Sequence, residues 1–118
     1  MSASVTLRDI RRDRLFLSTY ARHPNWPRVS RRFRKKHPAC AVCGAIARSN
    51  NSAVHHVLPF QWYPEKELDE DNLITLCRTH HWSFGHLCRW VSYNPDVVED
   101  ARIWRAKIAA RPKWKQII

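Results

Sequence analysis

Apolar positions recur at helical spacing near both ends of the chain, with a short strand pattern between them. Over residues 6–20, Thr6 followed by Asp9 resembles a capping box, and Leu7, Ile10, Arg14 and Leu17 follow a helical period. Pro24 and Pro27 interrupt the chain around Asn25 and Trp26, and residues 28–37 read as a short basic helix that stops before Pro38. Towards the other end, Asn94 suits an N-cap and Pro95 a first helical position. Asp96, Glu99 and Asp100 favour the positive end of that helix, and Val97, Ala101, Trp104 and Ile108 line one face until Pro112. In the middle, Val54, Val57 and Leu58 surround His55-His56 in a strand closed by Pro59, and Pro64 to Asn72 is acidic and turn-rich.

Length changes this picture little: 118 residues predict one domain, with a small core that gains from an added staple. The expected division is a basic arm with helices over 1–38, a metal-stabilised core over 39–90, and a helix with a basic tail over 91–118. Charge changes it more. The net charge is +11, and residues 1–38 hold 11 Lys and Arg against 2 acids. The stretch from Arg28 to Lys36 has six cations and no acid, so Arg31, Arg32, Arg34, Lys35 and Lys36 are candidate nucleic-acid contacts. An anionic membrane surface would want an apolar face opposite the basic one, and Val29 with Phe33 makes a thin face. No apolar run is long enough to span a membrane. Arg8, Arg11, Arg12 and Arg14 interrupt any export signal, so an intracellular setting, cytoplasmic or nucleoid-associated, is expected. Two glycines leave no room for a nucleotide-cofactor loop.

The chemistry concentrates in four cysteines and seven histidines. Cys40-x2-Cys43 followed by Gly44 is a knuckle in which a tight turn brings two thiolates to one ion. Cys77-x2-His80 repeats the gap, and three thiolates with one imidazole make a closed tetrahedral shell of the kind that holds structural zinc. A disulfide framework is the competing reading, and it would need an oxidising compartment. Cys88 is expected as a buried thiol, with a lesser role in place of His80 as fourth ligand. The 33 residues between Cys43 and Cys77 are long for a simple finger, so something is built inside the loop. There stand His55, His56 and Asn72, with His81 just beyond. Neighbours on a strand face opposite ways, so one of the paired imidazoles can meet a metal while the other meets substrate or water. His80 and His81 project about 100° apart on a helix and can serve different ions.

Cys40-x2-Cys43, His55-His56-Val57-Leu58-Pro59 and Asn72-Leu73-Ile74-Thr75-Leu76-Cys77-Arg78-Thr79-His80-His81 together resemble the zinc-containing HNH endonuclease motif. The resemblance implies an α+β fold: a ββα-metal (His-Me finger) core with structural zinc knuckles, flanked by N- and C-terminal helices. It implies His56 as general base, Asn72 as the middle asparagine that orients His56 or its loop, and His55 and His81 as ligands of a catalytic divalent ion (Mg2+, Mn2+, Ni2+ or Zn2+). Cys40, Cys43, Cys77 and His80 match the structural Zn2+ shell. Two departures stand out: His55 replaces the common aspartate, and His80 replaces the common fourth cysteine. His86 reads first as a surface residue and second as an accessory ligand or phosphate contact. Arg78, between the zinc ligands, is as much a solvated arginine as a phosphate contact.

The activity implied is hydrolysis of DNA phosphodiester bonds, leaving 5′-phosphate and 3′-hydroxyl ends. A neutral imidazole accepts the proton of water near physiological pH, and a divalent ion stabilises the phosphate and the leaving oxygen. The alternative is a non-catalytic zinc-bearing module that binds nucleic acid through its basic arms. A lone site nicks one strand; cutting a duplex calls for a dimer or two events. Trp62, Tyr63, Trp82, Phe84 and Trp90 are expected to pack the small core, with base stacking by Trp26 or Trp62 as the lesser reading. His23 and His37 are expected at the surface.

Overall fold

The computed structural model describes residues 22–46 and 51–112. The helix expected over 6–20 lies outside them. The first described helix, α1, spans Trp26–Lys36. It begins earlier than residue 28 because Pro27 sits in its first turn, where a missing amide leaves no intrahelical bond unmade. Val29 and Phe33 are its buried face, and the cations occupy the others.

Two antiparallel strands form the sheet: β1 over Ser52–His56 and β2 over Leu73–Cys77. Their register sets His55 opposite Ile74 and His56 opposite Leu73. The pleat then sorts the core into two layers. Ile74 and Leu76 pack with Cys40, Val42, Val97 and Ala101, whereas Leu73 packs with Val29 and Phe33 of α1. Thr75, between them, spends its hydroxyl on the His37 carbonyl at 2.7 Å. The connection between the strands carries two short 3-10 turns, Pro64–Lys66 and Glu70–Asn72, as its acidic, turn-rich composition predicts.

After β2 the chain enters one helical turn, α2, Arg78–His80, which continues as a π turn, His81–Gly85. The last helix, α3, spans Val97–Ala109. It starts later than Pro95, because Asn94 forms an Asx turn: its Oδ1 accepts from the Asp96 amide at 3.0 Å. Its Nδ2 donates to Asp100 at 2.8 Å, so Asn94 still anchors the first turn. The buried face of α3 is narrower than its periodicity predicts. Val97 and Ala101 are buried, but Trp104 is exposed, meeting the edge of Phe84 on one side and the cations of Lys107 and Arg111. This arrangement is the small α+β, ββα-metal architecture that the motif implies, with α1 and α3 on either side. None of the described helices is long and apolar enough to cross a membrane.

Leu76 is fully buried at the centre of the larger core layer. Leu76→Ala removes its contacts and leaves a cavity; chemical denaturation should read a loss of about 2–5 kcal/mol.

Candidate metal centres and catalytic pocket

Two groups of side chains have the donors to hold a metal ion, and the turn after β2 supplies His80 to one and His81 to the other. In the first, Cys40, Cys43, Cys77 and His80 bring their ligand atoms within 4.8 Å of one another. The knuckle owes its shape to Gly44, whose φ of +75° lies in the left-handed region and whose amide donates to the Cys40 carbonyl at 2.8 Å. It is tied to β2 by the Ala41 amide, which donates to the Thr75 carbonyl at 2.9 Å. His80 Nδ1 lies 3.6 Å from Cys40 Sγ and 3.2 Å from Cys77 Sγ, and the Cys43 and Cys77 sulfurs are 4.0 Å apart. Tetrahedral bonds of about 2.3 Å to sulfur and about 2.0 Å to nitrogen impose separations of roughly 3.6–3.8 Å, so these donors fit a zinc ion. Burial pushes the Cys40 thiol up, but amides of Cys43, Cys77 and Val42 and the His80 ring bring it down to about 7, close to the thiolate that a metal requires.

The second group is His55, His81 and His86, whose ligand nitrogens also lie within 4.8 Å of one another. Their rings meet edge to face, with centroids 4.8–5.0 Å apart. His86 was expected first at the surface, and the fold corrects that. Five residues on an α-helix rotate a side chain by about 500°, which places it well away from the first. The π turn widens the helix: the His86 amide donates to the His81 carbonyl, five residues back, at 3.1 Å. Both imidazoles then share a face. The turn closes with Leu87 and Cys88 at φ of 53° and 63°, and the Cys88 amide donates to the Trp82 carbonyl. That sharp reversal leaves Cys88 exposed, which corrects the buried thiol expected there and removes it from the sulfur cluster.

The nitrogens lie close enough together to share a cation. His86 Nδ1 donates to the Ser92 carbonyl at 2.8 Å, so its Nε2 carries the lone pair, and this atom lies 3.2 Å from His81 Nε2. His55 Nε2 is buried without a hydrogen-bond partner. Burial, followed by the nearby His81, His86 and His56 rings, pushes His55 down to about 3; burial and His86 push His81 down to about 4. Three neutral imidazoles with converging lone pairs are a ligand set for a borderline divalent ion. Gly85 makes room for it. A Cβ there would stand 3.0 Å from the His55 ring.

His56 faces the other side of the sheet, among Trp26 and Phe60, with ring centroids at 4.4 and 5.5 Å. Its Nε2 lies 2.8 Å from the Glu67 carbonyl and must be the donor, since a carbonyl only accepts; Nδ1 is left as the basic atom. Burial lowers its pKa and favours the neutral ring. The Asn72 side chain bonds to the loop rather than to the His56 ring. Its Oδ1 accepts from the Leu58 amide at 2.9 Å, and its Nδ2 donates to the Leu58 and Lys66 carbonyls at 3.0 and 3.2 Å. It thereby clamps the start of the loop to the residue before Glu67, the partner of His56. His55, His56, His81 and His86 line a cavity of about 210 Å³ together with Arg22, Phe60 and Trp90.

Other expectations divide. Arg31 and Lys35 are exposed on α1, whereas Arg32 and Lys36 pair with Glu70 at 3.5 Å and Arg34 reaches the Ser52 carbonyl. Arg78, His23 and His37 are exposed. The aromatic cluster is less buried than expected: Phe84 packs on the core, but Trp62 and Trp90 are 59% and 61% exposed. Trp90 instead stacks at the edge of His81 and His86, against Trp82. The carbonyls of Glu67 and Ser92 that fix the two tautomers, and the place of Arg22, have no signature in the sequence. His86 had one: it follows Gly85 on the same short helix, although five-residue spacing hides the shared face.

The HNH endonuclease family model matches residues 40–82, about a third of the chain. No curated protein and no solved structure gave a match.

Cys77→Ser should release zinc and lower the melting temperature by at least about 5 °C, read by metal analysis and calorimetry; an unchanged transition argues against the sulfur frame. Gly85→Ala should push the His55 ring away. It should weaken binding of a second divalent ion about ten- to hundredfold in a calorimetric titration with Ni2+, with the sulfur-bound zinc retained.

Proposed function

With an HNH endonuclease segment over residues 40–82 as the premise, we propose that this chain is a metal-dependent endonuclease that hydrolyses DNA phosphodiester bonds. One observation carries the reading. His56, with its Nε2 committed to a backbone carbonyl and its Nδ1 left basic, lines the same cavity as three imidazoles suited to a divalent ion.

His56 is the general base and takes a proton from water at Nδ1. Its neutral form is favoured by burial, so it is ready to accept that proton at neutral pH. The Glu67 carbonyl fixes the tautomer and gains from the charge that develops on the ring. Asn72 is a positioning residue: it fixes the two loop segments between which His56 is held. His55, His81 and His86 would hold the catalytic ion. When bound, a divalent ion supplies Lewis-acid stabilisation of the phosphate and the leaving oxygen. A site of three imidazoles without a carboxylate favours Zn2+ or Ni2+ over Mg2+. Cys40, Cys43, Cys77 and His80 hold a second, structural zinc. Bound there, it would pin the knuckle to the end of β2, just ahead of the turn that carries His81.

A plasmid assay with a panel of divalent ions tests this. His56→Ala should lose about 10²–10⁴-fold in cleavage while keeping its zinc content and a single cooperative unfolding transition. Cleavage at the native rate removes His56 as the base. DNA binding without cleavage in any ion would support the non-catalytic module instead.

A further inference from the structure

Arg22 lies upstream of every residue of the motif, yet it lines the cavity that holds His55, His56, His81 and His86. Its guanidinium sits over two aromatic faces, 4.1 Å from the Phe60 centroid and 5.0 Å from that of Trp26. Those are the rings that flank His56. A guanidinium held this way keeps its orientation without spending its donors. Among the described residues it makes no ion pair. Glu67, whose charge acts on it, is buried, and its Oε2 accepts from the His23 amide at 3.0 Å. The cations of α1 contrast with it, since Arg32 and Lys36 share Glu70 and Arg34 turns to the backbone of β1.

We propose that Arg22 is a phosphate-binding residue of this site. Its two-ring cradle aims the guanidinium at the backbone phosphate of a nucleic acid lying over His56 and the three-imidazole cluster. The proposal rests on the endonuclease reading for its ligand. Planar guanidinium donors match two phosphate oxygens at once, and the pairing is strongest where solvent is partly displaced, as between Trp26 and Phe60. Trp26 and Phe60 then serve two groups together: they wall in the base and they carry the cation that holds the substrate beside it.

The test reads binding rather than turnover. A fluorescent DNA duplex is titrated with His56→Ala and with His56→Ala/Arg22→Gln, at several salt concentrations and without added divalent ion. Gln keeps the stem and loses the charge. The expected result is about ten- to hundredfold weaker binding at low salt, with the slope of log affinity against log salt reduced by about 0.9. Arg22→Lys should restore the slope and only part of the affinity. Native affinity and slope in the Gln variant would overturn the proposal, as would weaker binding with an unchanged slope, which marks a structural role. A chain that never cleaves DNA but shows the slope change loses the endonuclease reading and keeps Arg22 as a phosphate contact.

Discussion

The two-residue period of β1 is the constraint on which the site rests. Adjacent imidazoles at 55 and 56 must leave the strand on opposite faces. The pairing of His55 with Ile74 and His56 with Leu73 determines which face each one takes. A slip of one residue would exchange them and turn the apolar set of β2 the wrong way round. That register is held by the core itself: Ile74 and Leu76 belong to the layer under α3, and Leu73 to the layer under α1. Packing therefore fixes the alignment, and the position of His56 is as well determined as the core.

A core of this size has little to spare, and the cysteine cluster sits where it is needed most. The knuckle at Cys40 and Cys43 joins β2 through the Ala41 amide, and Cys77 and His80 bracket the passage from strand to helix. An ion held by these four donors would tie two segments distant in sequence at one point. The neighbouring residue, His81, then leaves the helix in another direction, towards His55 and His86. One short turn thus anchors the fold with one residue and lines the cavity with the next.

The π turn at His81–Gly85 makes a wider helix useful. It brings a histidine five residues on into line, and Gly85 leaves the gap that the His55 ring fills from the facing strand. The three rings gather inside the protein, where burial and mutual repulsion keep them unprotonated. Charge reaches the cavity from Arg22, cradled by rings that also enclose His56.

The sequence by itself determined the parts whose signal is local. The Cys-x2-Cys and Cys-x2-His gaps named the four donors, the paired histidines named a strand with two chemically different faces, and the family resemblance carried partly by the Asn72-to-His81 run implied the ββα core. Helices at 26–36 and 97–109 were legible, to within a few residues, from their prolines, caps and periodicity. Tertiary structure alone decided what depended on other segments. His86 became part of the imidazole cluster because the π turn rotated it inward, which α-helical periodicity cannot foresee. Cys88 was left outside because a left-handed turn carried it to solvent. Trp62 and Trp90 stayed exposed because the two small core layers were already filled by residues of β2, α1, α3 and the knuckle. The tautomers of His56 and His86 were chosen by backbone carbonyls, which every residue carries and no sequence distinguishes.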